Sequence, residues 1–305
     1  MTTSRTDANA TSRRGFLVGA AAALGASTLA ACGRDEAWFR KHYRQMSPDE
    51  LAPVLTALEA ETFATHGARV QIADPRPIPG VHFAHALNLS LCDGCGACVE
   101  ACRVENNQDR TDGLSYIRLE TLSLARPLAD LARETTDETS DNTDDTPQPR
   151  IFHLPVSCQH CAEPPCVPVC PVGATWREPD GIVVVDYDWC IGCRYCEVAC
   201  PYGARHFNWG RPVVPTSTLN PDQGYLSNRL RPRGVVEKCT NCLHRSREGR
   251  FPACVEACPT GARVFGDLAD PAGALRQLLA THPVHVLKEE LGTRPTFFYF
   301  LGVGA

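Results

Sequence analysis

Cysteine is the residue type in this chain that offers the most chemistry. Of the 17 cysteines, 16 lie between Cys92 and Cys258, a far higher density than in an ordinary cytosolic enzyme. They form four quartets, namely Cys92, Cys95, Cys98 and Cys102; Cys158, Cys161, Cys166 and Cys170; Cys190, Cys193, Cys196 and Cys200; and Cys239, Cys242, Cys254 and Cys258. This density leaves three classes of protein: a disulfide scaffold, zinc modules, or a carrier of iron–sulfur clusters.

The spacing within the quartets favours cubane [4Fe–4S] clusters. The first and third quartets both have the spacing Cys-x2-Cys-x2-Cys-x3-Cys, and proline follows the last cysteine of the second, third and fourth. Three thiols at this spacing on a tight loop are able to bind three iron corners of one cube. Gly94, Gly96 and Gly192 let the backbone turn and direct N–H groups at the sulfurs. We expect the fourth cysteine to begin a helix that reaches a second cube, so that quartets work in pairs.

Zinc sites and disulfides are the alternatives to this interpretation. A structural zinc site has four ligands, commonly two Cys-x2-Cys pairs about 15 to 20 residues apart. Zinc gives no reason for the third thiol six residues after the first, or for the recurring Cys-x3-Cys-Pro ending. Analysis of iron and acid-labile sulfide separates these alternatives, because zinc proteins and disulfide scaffolds contain no sulfide.

The first 31 residues are typical of an export signal. Ser12-Arg13-Arg14-Gly15-Phe16-Leu17 opens an apolar run of 17 residues, which is shorter than a membrane-spanning helix requires. Paired arginines before such a run indicate twin-arginine export, and the alternative is a chance Arg-Arg before a buried helix. The run ends Leu29-Ala30-Ala31-Cys32-Gly33, which resembles a bacterial lipobox with Cys32 as the lipidated residue. The alternative is cleavage by an ordinary signal peptidase beside an incidental cysteine.

Composition and local patterns indicate how the mature chain is organised. The formal net charge of −5 gives no reason to expect a nucleic-acid partner, and 43% hydrophobic residues suffice for a core. Ser47 and Glu50 predict a helix with a capping box that ends at Gly67. Residues 181–186 predict a strand, and residues 270–280 contain a helix. The apolar segment 297–305 is either a docking tail or a core strand.

At the cysteine motifs the chain resembles the four-cluster iron–sulfur subunits of dimethyl sulfoxide reductase-type and polysulfide reductase-type complexes. The resemblance covers residues 87–270. It rests on Cys158-Gln159-His160-Cys161-Ala162-Glu163-Pro164-Pro165-Cys166, on Cys190-Ile191-Gly192-Cys193-Arg194-Tyr195-Cys196, on Pro201-Tyr202-Gly203-Ala204-Arg205 and on Pro259-Thr260-Gly261-Ala262.

The resemblance implies four [4Fe–4S] clusters with ligands exchanged between quartets. The implied ligand sets are Cys92, Cys95, Cys98 and Cys258 for cluster 1; Cys102, Cys239, Cys242 and Cys254 for cluster 2; Cys158, Cys161, Cys166 and Cys200 for cluster 3; and Cys170, Cys190, Cys193 and Cys196 for cluster 4.

It also implies an α+β fold of two pseudo-symmetric bacterial dicluster ferredoxin-like units with loop-rich insertions. The implied division is a signal peptide (1–31), an N-terminal helix and linker (32–82), a four-cluster domain (83–270) and a C-terminal tail (271–305). Within 83–270, an outer unit (83–130 and 225–270) surrounds a contiguous inner unit (150–210) and an acidic insert (133–149).

The function implied is electron transfer in an exported, membrane-associated respiratory oxidoreductase. The implied partners are a polytopic quinone-reactive membrane subunit and either a molybdopterin catalytic subunit or a multihaem cytochrome c. The complex would lie on the periplasmic face of the cytoplasmic membrane, held by the lipid anchor and its partner. The chain shows no Ser–His–Asp arrangement or phosphate-binding loop, so we assign it no substrate chemistry of its own. A free-standing periplasmic ferredoxin is the nearest rival and a zinc-binding structural protein is the other.

Several residues beside the cysteines invite a role in tuning the clusters. His160 and His244 lie inside quartets and either donate to a cluster sulfur or have no defined role there. Lys238, Arg194 and Tyr195 either raise a cluster potential by positive charge or hydrogen bonding, or face solvent, and we expect them to face solvent.

The export hypothesis predicts that Arg13→Lys combined with Arg14→Lys traps the precursor in the cytoplasm, because the pathway reads the paired arginines. Cell fractionation followed by immunoblotting measures this. Normal export of the double variant would contradict the assignment of the signal.

Overall fold

The strands of this protein are short and pair into small sheets. The computed structural model describes residues 42–111, 113–124 and 150–302. The strands there are β1 Gln71–Ala73, β2 Phe83–Asn88, β3 Arg118–Leu124, β4 Arg150–Val156, β5 Thr175–Arg177, β6 Val183–Val185, β7 His206–Phe207, β8 Asp222–Gly224, β9 Val236–Glu237, β10 Arg263–Asp267 and β11 Phe297–Phe300. The helices there are α1 Pro48–His66, α2 Ala97–Glu105, α3 Tyr195–Val198, α4 Leu243–Ser246, α5 Ala253–Glu256 and α6 Ala274–Thr281. Three-residue 3-10 turns occupy Tyr43–Gln45, Thr216–Thr218 and Glu289–Leu291.

The predicted export signal (Arg13, Arg14 and Cys32) and the acidic insert (133–149) lie outside the described residues. Within the three described ranges, no helix is both long enough and apolar enough to cross a membrane.

Helix α1 forms where its capping residues predict it. The hydroxyl of Ser47 accepts a hydrogen bond from the Glu50 backbone N–H, and the Glu50 carboxylate accepts one from the Ser47 backbone N–H. These two bonds satisfy donors that the first helical turn leaves free. Gly67 ends the helix in the left-handed conformation with φ of 66°, so both predicted boundaries are confirmed.

Strand pairing nests one stretch of chain inside another. β2 pairs antiparallel with β10, which brings together the two ends of the outer stretch (residues 83–130 and 225–270). The inner stretch comprises residues 150–210. Between them, β5 and β6 form an antiparallel pair of their own. β4 pairs with β3 where the chain enters the inner stretch, and β7 pairs with β9 where it leaves. The inner stretch is therefore tied to the outer one at both ends, and the predicted α+β class is confirmed.

The segments outside 83–270 join this architecture. β11 pairs parallel with β2, so the apolar segment near the end of the chain supplies a core strand. Phe297 and Tyr299 pack there with Leu87 and Ala262. On the N-terminal side, β1 pairs parallel with β8. The domain boundaries at residues 82 and 270 stay predictions.

The helices beside the cysteines begin one turn earlier than expected. α2, α3 and α5 contain the third cysteine of their quartets, Cys98, Cys196 and Cys254, within the first two residues. Our expectation that the fourth cysteine begins the helix was wrong. The reason is a reversal just before the third cysteine in the first and third quartets, where Gly96 and Arg194 have positive φ angles. The third and fourth cysteines are then four residues apart, one turn along the same face where the helix continues.

The predicted glycine positions have the backbone conformation that the cysteine loops need. Gly94, Gly96 and Gly192 have φ angles of 74°, 76° and 71°. At Gly192 a side chain is also excluded by space, because a Cβ atom there would overlap the carbonyl oxygen of Gly234. The third cysteine loop and the segment before β9 therefore approach backbone to backbone.

Gly192→Ala is expected to destabilise the protein by about 1–3 kcal/mol, because it combines an overlap with a strained φ angle. Gly210→Ala is the matched control, since the space around a Cβ at Gly210 is open. An anaerobic thermal melt compares the two variants. Equal melting temperatures for both would show that the close approach at Gly192 does not constrain the fold.

Candidate metal centres

Three thiols of the first quartet and one of the fourth surround a single cavity. The cavity has an empty volume of about 310 Å3. Its lining includes Leu87, Leu119, Pro155, Thr260, Arg263 and the four cysteines Cys92, Cys95, Cys98 and Cys258. β2 and β10 position this site, since the first quartet follows β2 and the fourth precedes β10.

A second cavity of the same size repeats this arrangement in the inner stretch. Its empty volume is also about 310 Å3. Its lining includes Pro164, Pro165, Val183, Tyr202, Arg205 and the four cysteines Cys158, Cys161, Cys166 and Cys200. In both cavities, therefore, three cysteines come from one quartet and the fourth comes from the end of another.

A third group of thiols is buried between α2 and α5. Cys102 lies close to Cys239, Cys242 and Cys254, and burial together with their negative charge raises the pKa of Cys102 well above its usual value. Two amides approach these sulfurs. Asn106 Nδ2 lies 3.6 Å from Cys102 Sγ and 3.7 Å from Cys242 Sγ. Gln108 Nε2 lies 3.3 Å from Cys102 Sγ.

The fourth group is closer to the surface. Burial raises the pKa of Cys190, and the charges of Cys170 and Cys193 raise it further. Burial also raises the pKa of Cys196, and the charge of the nearby Cys190 adds to this shift. Cys193 is exposed, as is Cys95 in the first cavity. Two of the predicted ligand sets thus line the two cavities, and the neighbours of Cys102 and Cys190 agree with the other two. The assignment of each cysteine to a cluster stays a prediction.

Backbone N–H groups donate to the sulfurs that close the two cavities. Although burial opposes ionisation, hydrogen bonds from the Thr260 hydroxyl and from the N–H groups of Arg263, Ala262 and Thr260 lower the pKa of Cys258. Cys200 accepts corresponding bonds from Ala204 and Tyr202, but there burial prevails and raises the pKa. The Cys-Pro-x-Gly-Ala turn thus directs the same donors at a sulfur in both places.

The arrangement of the thiols fits a multi-atom cluster better than a single ion. Zinc would draw four sulfurs to about 2.3 Å from one point. In each of the two cavities, four sulfurs instead surround an open space. Within the described ranges, no three His, Cys, Asp or Glu side chains stand close enough to share one ion. The sixteen described cysteines form no disulfides. Four sulfur donors around one open space match the chemistry of an iron–sulfur group.

One of the neighbouring residues, Lys238, is placed differently from the expectation. Lys238 was expected to face solvent, but only 1% of it is exposed, so this expectation was wrong. Its ammonium donates to the carbonyl oxygens of Val183 and Cys239, and burial lowers its pKa. His160 is also buried, and its Nδ1 accepts from the Val183 N–H. Burial lowers the pKa of His160 well below 6.5, so the ring is neutral.

Among the described residues, no hydrogen bond joins His244, Arg194 or Tyr195 to a sulfur. His244 Nε2 lies 2.7 Å from a carboxylate oxygen of Glu105. Arg194 and Tyr195 are exposed as expected, and the Arg194 guanidinium lies over the Trp209 ring.

Sequence reasoning missed four side chains that reach sulfur. Asn106 and Gln108 approach Cys102, as described, and Arg205 and Arg263 reach the two cavities. The arginines had a detectable signal, because each stands five residues after the last cysteine in a repeated Cys-Pro-x-Gly-Ala-Arg motif. The amides had none, since nothing in the sequence places them on a particular sulfur.

Comparison with known protein families matches the cysteine region twice. The description "4Fe-4S dicluster domain" fits residues 91–174 in one case and residues 149–220 with 227–268 in the other. Together these ranges contain all sixteen cysteines of the four groups.

Similar proteins share most of the chain. One is an iron–sulfur subunit of Halobacterium salinarum named for dimethyl sulfoxide reductase, 40% identical over 72% of this chain and 79% of that protein. A selenate reductase subunit of Mesobacillus selenatarsenatis is 34% identical over 95% of this chain and 97% of its own length. The iron–sulfur cluster-binding subunit of menaquinone reductase from Nitratidesulfovibrio vulgaris is 37% identical over 72% of this chain and 88% of its own length.

Lys238→Met is expected to destabilise the protein, because it leaves the buried carbonyl of Val183 without its donor at a cost of about 1–3 kcal/mol. Lys288→Met is the matched control, since the Lys288 ammonium donates to the Pro201 carbonyl from an exposed position. Thermal melts under anaerobic conditions measure both. A melting temperature lowered equally in the two variants would contradict a special contribution of the buried lysine.

Proposed function

This chain belongs to the family of 4Fe-4S dicluster iron–sulfur subunits that includes its relatives from dimethyl sulfoxide and selenate reductases, and from that premise we propose that it relays electrons through four [4Fe–4S] clusters. The clusters, when bound, supply one-electron redox chemistry. The protein itself holds them, excludes water from them and adjusts their electrostatic surroundings.

The observation that carries this proposal is the three-plus-one composition of the two cavities. Cys258 joins the first three cysteines of the first quartet, and Cys200 joins those of the second. These are two of the four ligand sets that the sequence resemblance implies. The neighbours of Cys102 and of Cys190 support the other two sets.

Contacts between the groups support a linear order of clusters. Groups 1 and 2 meet at Arg263, which interacts with Cys98 and Cys254. Groups 2 and 3 meet where the charge of Cys158 acts on Cys239. Groups 3 and 4 meet where Cys166 and Cys196 pack in one cluster of side chains. The two outer groups contain the exposed cysteines, so we assign electron entry and exit to the two ends of this path.

We further propose that the chain is exported and works on the periplasmic face of the cytoplasmic membrane. The proposed partners are a quinone-reactive membrane subunit at one end and a molybdopterin or multihaem cytochrome subunit at the other. The names of the relatives, which are subunits of dimethyl sulfoxide, selenate and menaquinone reductases, support a place in a multisubunit reductase. The proposed export rests on the pattern around Arg13 and Arg14. Purification distinguishes a free-standing ferredoxin, because such a protein would separate from the membranes as an intact chain without partner subunits.

The proposed ligand sets make a quantitative prediction about iron. The wild-type chain, purified anaerobically, should contain about sixteen iron and sixteen sulfide, from four cubanes of four each. Cys92→Ser with Cys258→Ser should lose about four iron, because both ligands belong to one cubane. Cys92→Ser with Cys254→Ser should lose about eight, because the two ligands serve different cubanes.

Iron and sulfide analysis of the three proteins measures this, with Cys32→Ser as the control that should keep the full complement. Equal losses from both double variants would contradict the pairing of quartets. Zinc without sulfide in the wild type would overturn the function itself.

A further inference from the structure

Two buried arginines in this protein lack the carboxylate partners that its other buried arginines have. Six arginines are buried among the described residues, namely Arg205, Arg229, Arg231, Arg245, Arg247 and Arg263. Four of them lie within 4.0 Å of an Asp or Glu oxygen, as Arg231 does with Glu237 at 2.6 Å. Within residues 42–302, as far as the structure describes them, Arg205 and Arg263 make no such ion pair.

Arg205 lies between the third and fourth thiol groups. Its Nη2 lies 3.1 Å from Cys166 Sγ and 2.8 Å from Thr175 Oγ1. Its charge also acts on Cys196, which packs with Cys166 in one cluster of side chains. Cys166 and Cys196 are the third cysteines of the second and third quartets, so one guanidinium lies beside both halves of the inner stretch.

Arg263 has the same place in the outer stretch. Its Nη1 lies 4.0 Å from Cys254 Sγ, and it lines one cavity together with Cys98, whose charge acts on it. Cys98 and Cys254 are again third cysteines, of the first and fourth quartets. The correspondence extends to the sequence, because each arginine follows a Cys-Pro-x-Gly-Ala turn, whereas Thr175 and Asn107 stand at the same distance after Cys170 and Cys102. Each stretch therefore has one such cation.

Both buried arginines need a nearby anion to balance their charge. Placing an unpaired cation in a protein interior costs several kcal/mol. Each guanidinium also keeps one buried nitrogen, Arg205 Nη1 or Arg263 Nη2, without a hydrogen-bond partner among the described residues. Each lines a cavity ringed by four cysteines. Anionic thiolate-ligated clusters on either side would balance these charges.

We propose that Arg205 and Arg263 are shared cations, each of which stabilises the reduced state of both clusters in its stretch and so raises both reduction potentials. This inference rests on the proposed function. Reduction adds one electron, and therefore one negative charge, to a cluster. A fixed positive charge hydrogen-bonded to its sulfur favours that state, since net charge and hydrogen bonds to sulfur set the potential. Because each guanidinium lies beside sulfurs of two groups, we expect its removal to affect two clusters together.

The test is a redox titration of the full-length, cluster-loaded protein, followed by EPR and driven with dithionite. Arg205→Gln should lower the potentials of the two inner clusters, changing the reduced-to-oxidised ratio at fixed potential about tenfold, which is about 59 mV for a one-electron couple. The two outer clusters should be unchanged. Arg263→Gln should give the reciprocal pattern, and Arg205→Lys should retain potentials close to the wild type.

Arg194→Gln is the matched control, because Arg194 adjoins Cys193 but is exposed and stacks on Trp209. It removes the same charge beside the same quartet and should leave the potentials nearly unchanged. Unchanged potentials in Arg205→Gln, or a shift of a single cluster, would overturn the proposal.

Iron and sulfide analysis separates the failure of this inference from failure of the proposed function. A wild type without clusters refutes the function, whereas a fully loaded Arg205→Gln with wild-type potentials refutes only the shared cation. If Arg205→Gln loses iron, Arg205→Lys decides. Retained clusters at wild-type potentials support the cation, and loss of iron there as well shows that the arginine acts through its shape instead.

Discussion

Negative charge held close together on buried sulfur is the constraint on which this structure depends. Burial raises the pKa of Cys239 to about 12, and the charges of Cys158 and Cys254 add to the shift. Thiols in such surroundings ionise only when a positive partner compensates them. The cysteine ligands come together only in the folded chain, and they remain stable there only with the metal cations that they bind. Metal binding and folding are therefore coupled.

The small size of the apolar cores follows from the same constraint. One core contains Cys161, Tyr202 and Ala204, with Cys158 and Cys200 packed against it. Another contains Cys102 and Cys254 beside Leu114 and Tyr116. Cysteine thus takes the place that large aliphatic side chains have in other proteins. Buried polar contacts supply the remaining order, as where Tyr116 Oη donates to Glu237 and Arg231 pairs with the same carboxylate.

Sequence reasoning reached the quartets and α1 because each depends on local spacing, and it reached the fold class through the family resemblance of the cysteine motifs. Ser47, Glu50 and Gly67 act within a few residues of one another, and so do the cysteines of one loop. It failed for Lys238 because the burial of that side chain depends on the Val183 carbonyl, 55 residues away in the chain. It failed for the first residue of the cysteine helices, because the chain reverses at Arg194, and arginine has no preference for positive φ. The division between outer and inner stretches came from the family resemblance, because the short strands β4 and β7 do not encode their pairings individually.

The parallel pairing of β11 with β2 has a consequence for the order in which the chain acquires its structure. Phe297 lies opposite His85, so the strand that leads into the first quartet finds one neighbour more than two hundred residues later. Closing so long a loop is slow, and synthesis proceeds from the N-terminus. The ribosome must therefore add more than two hundred further residues after β2 before the first cysteine loop has a complete sheet behind it.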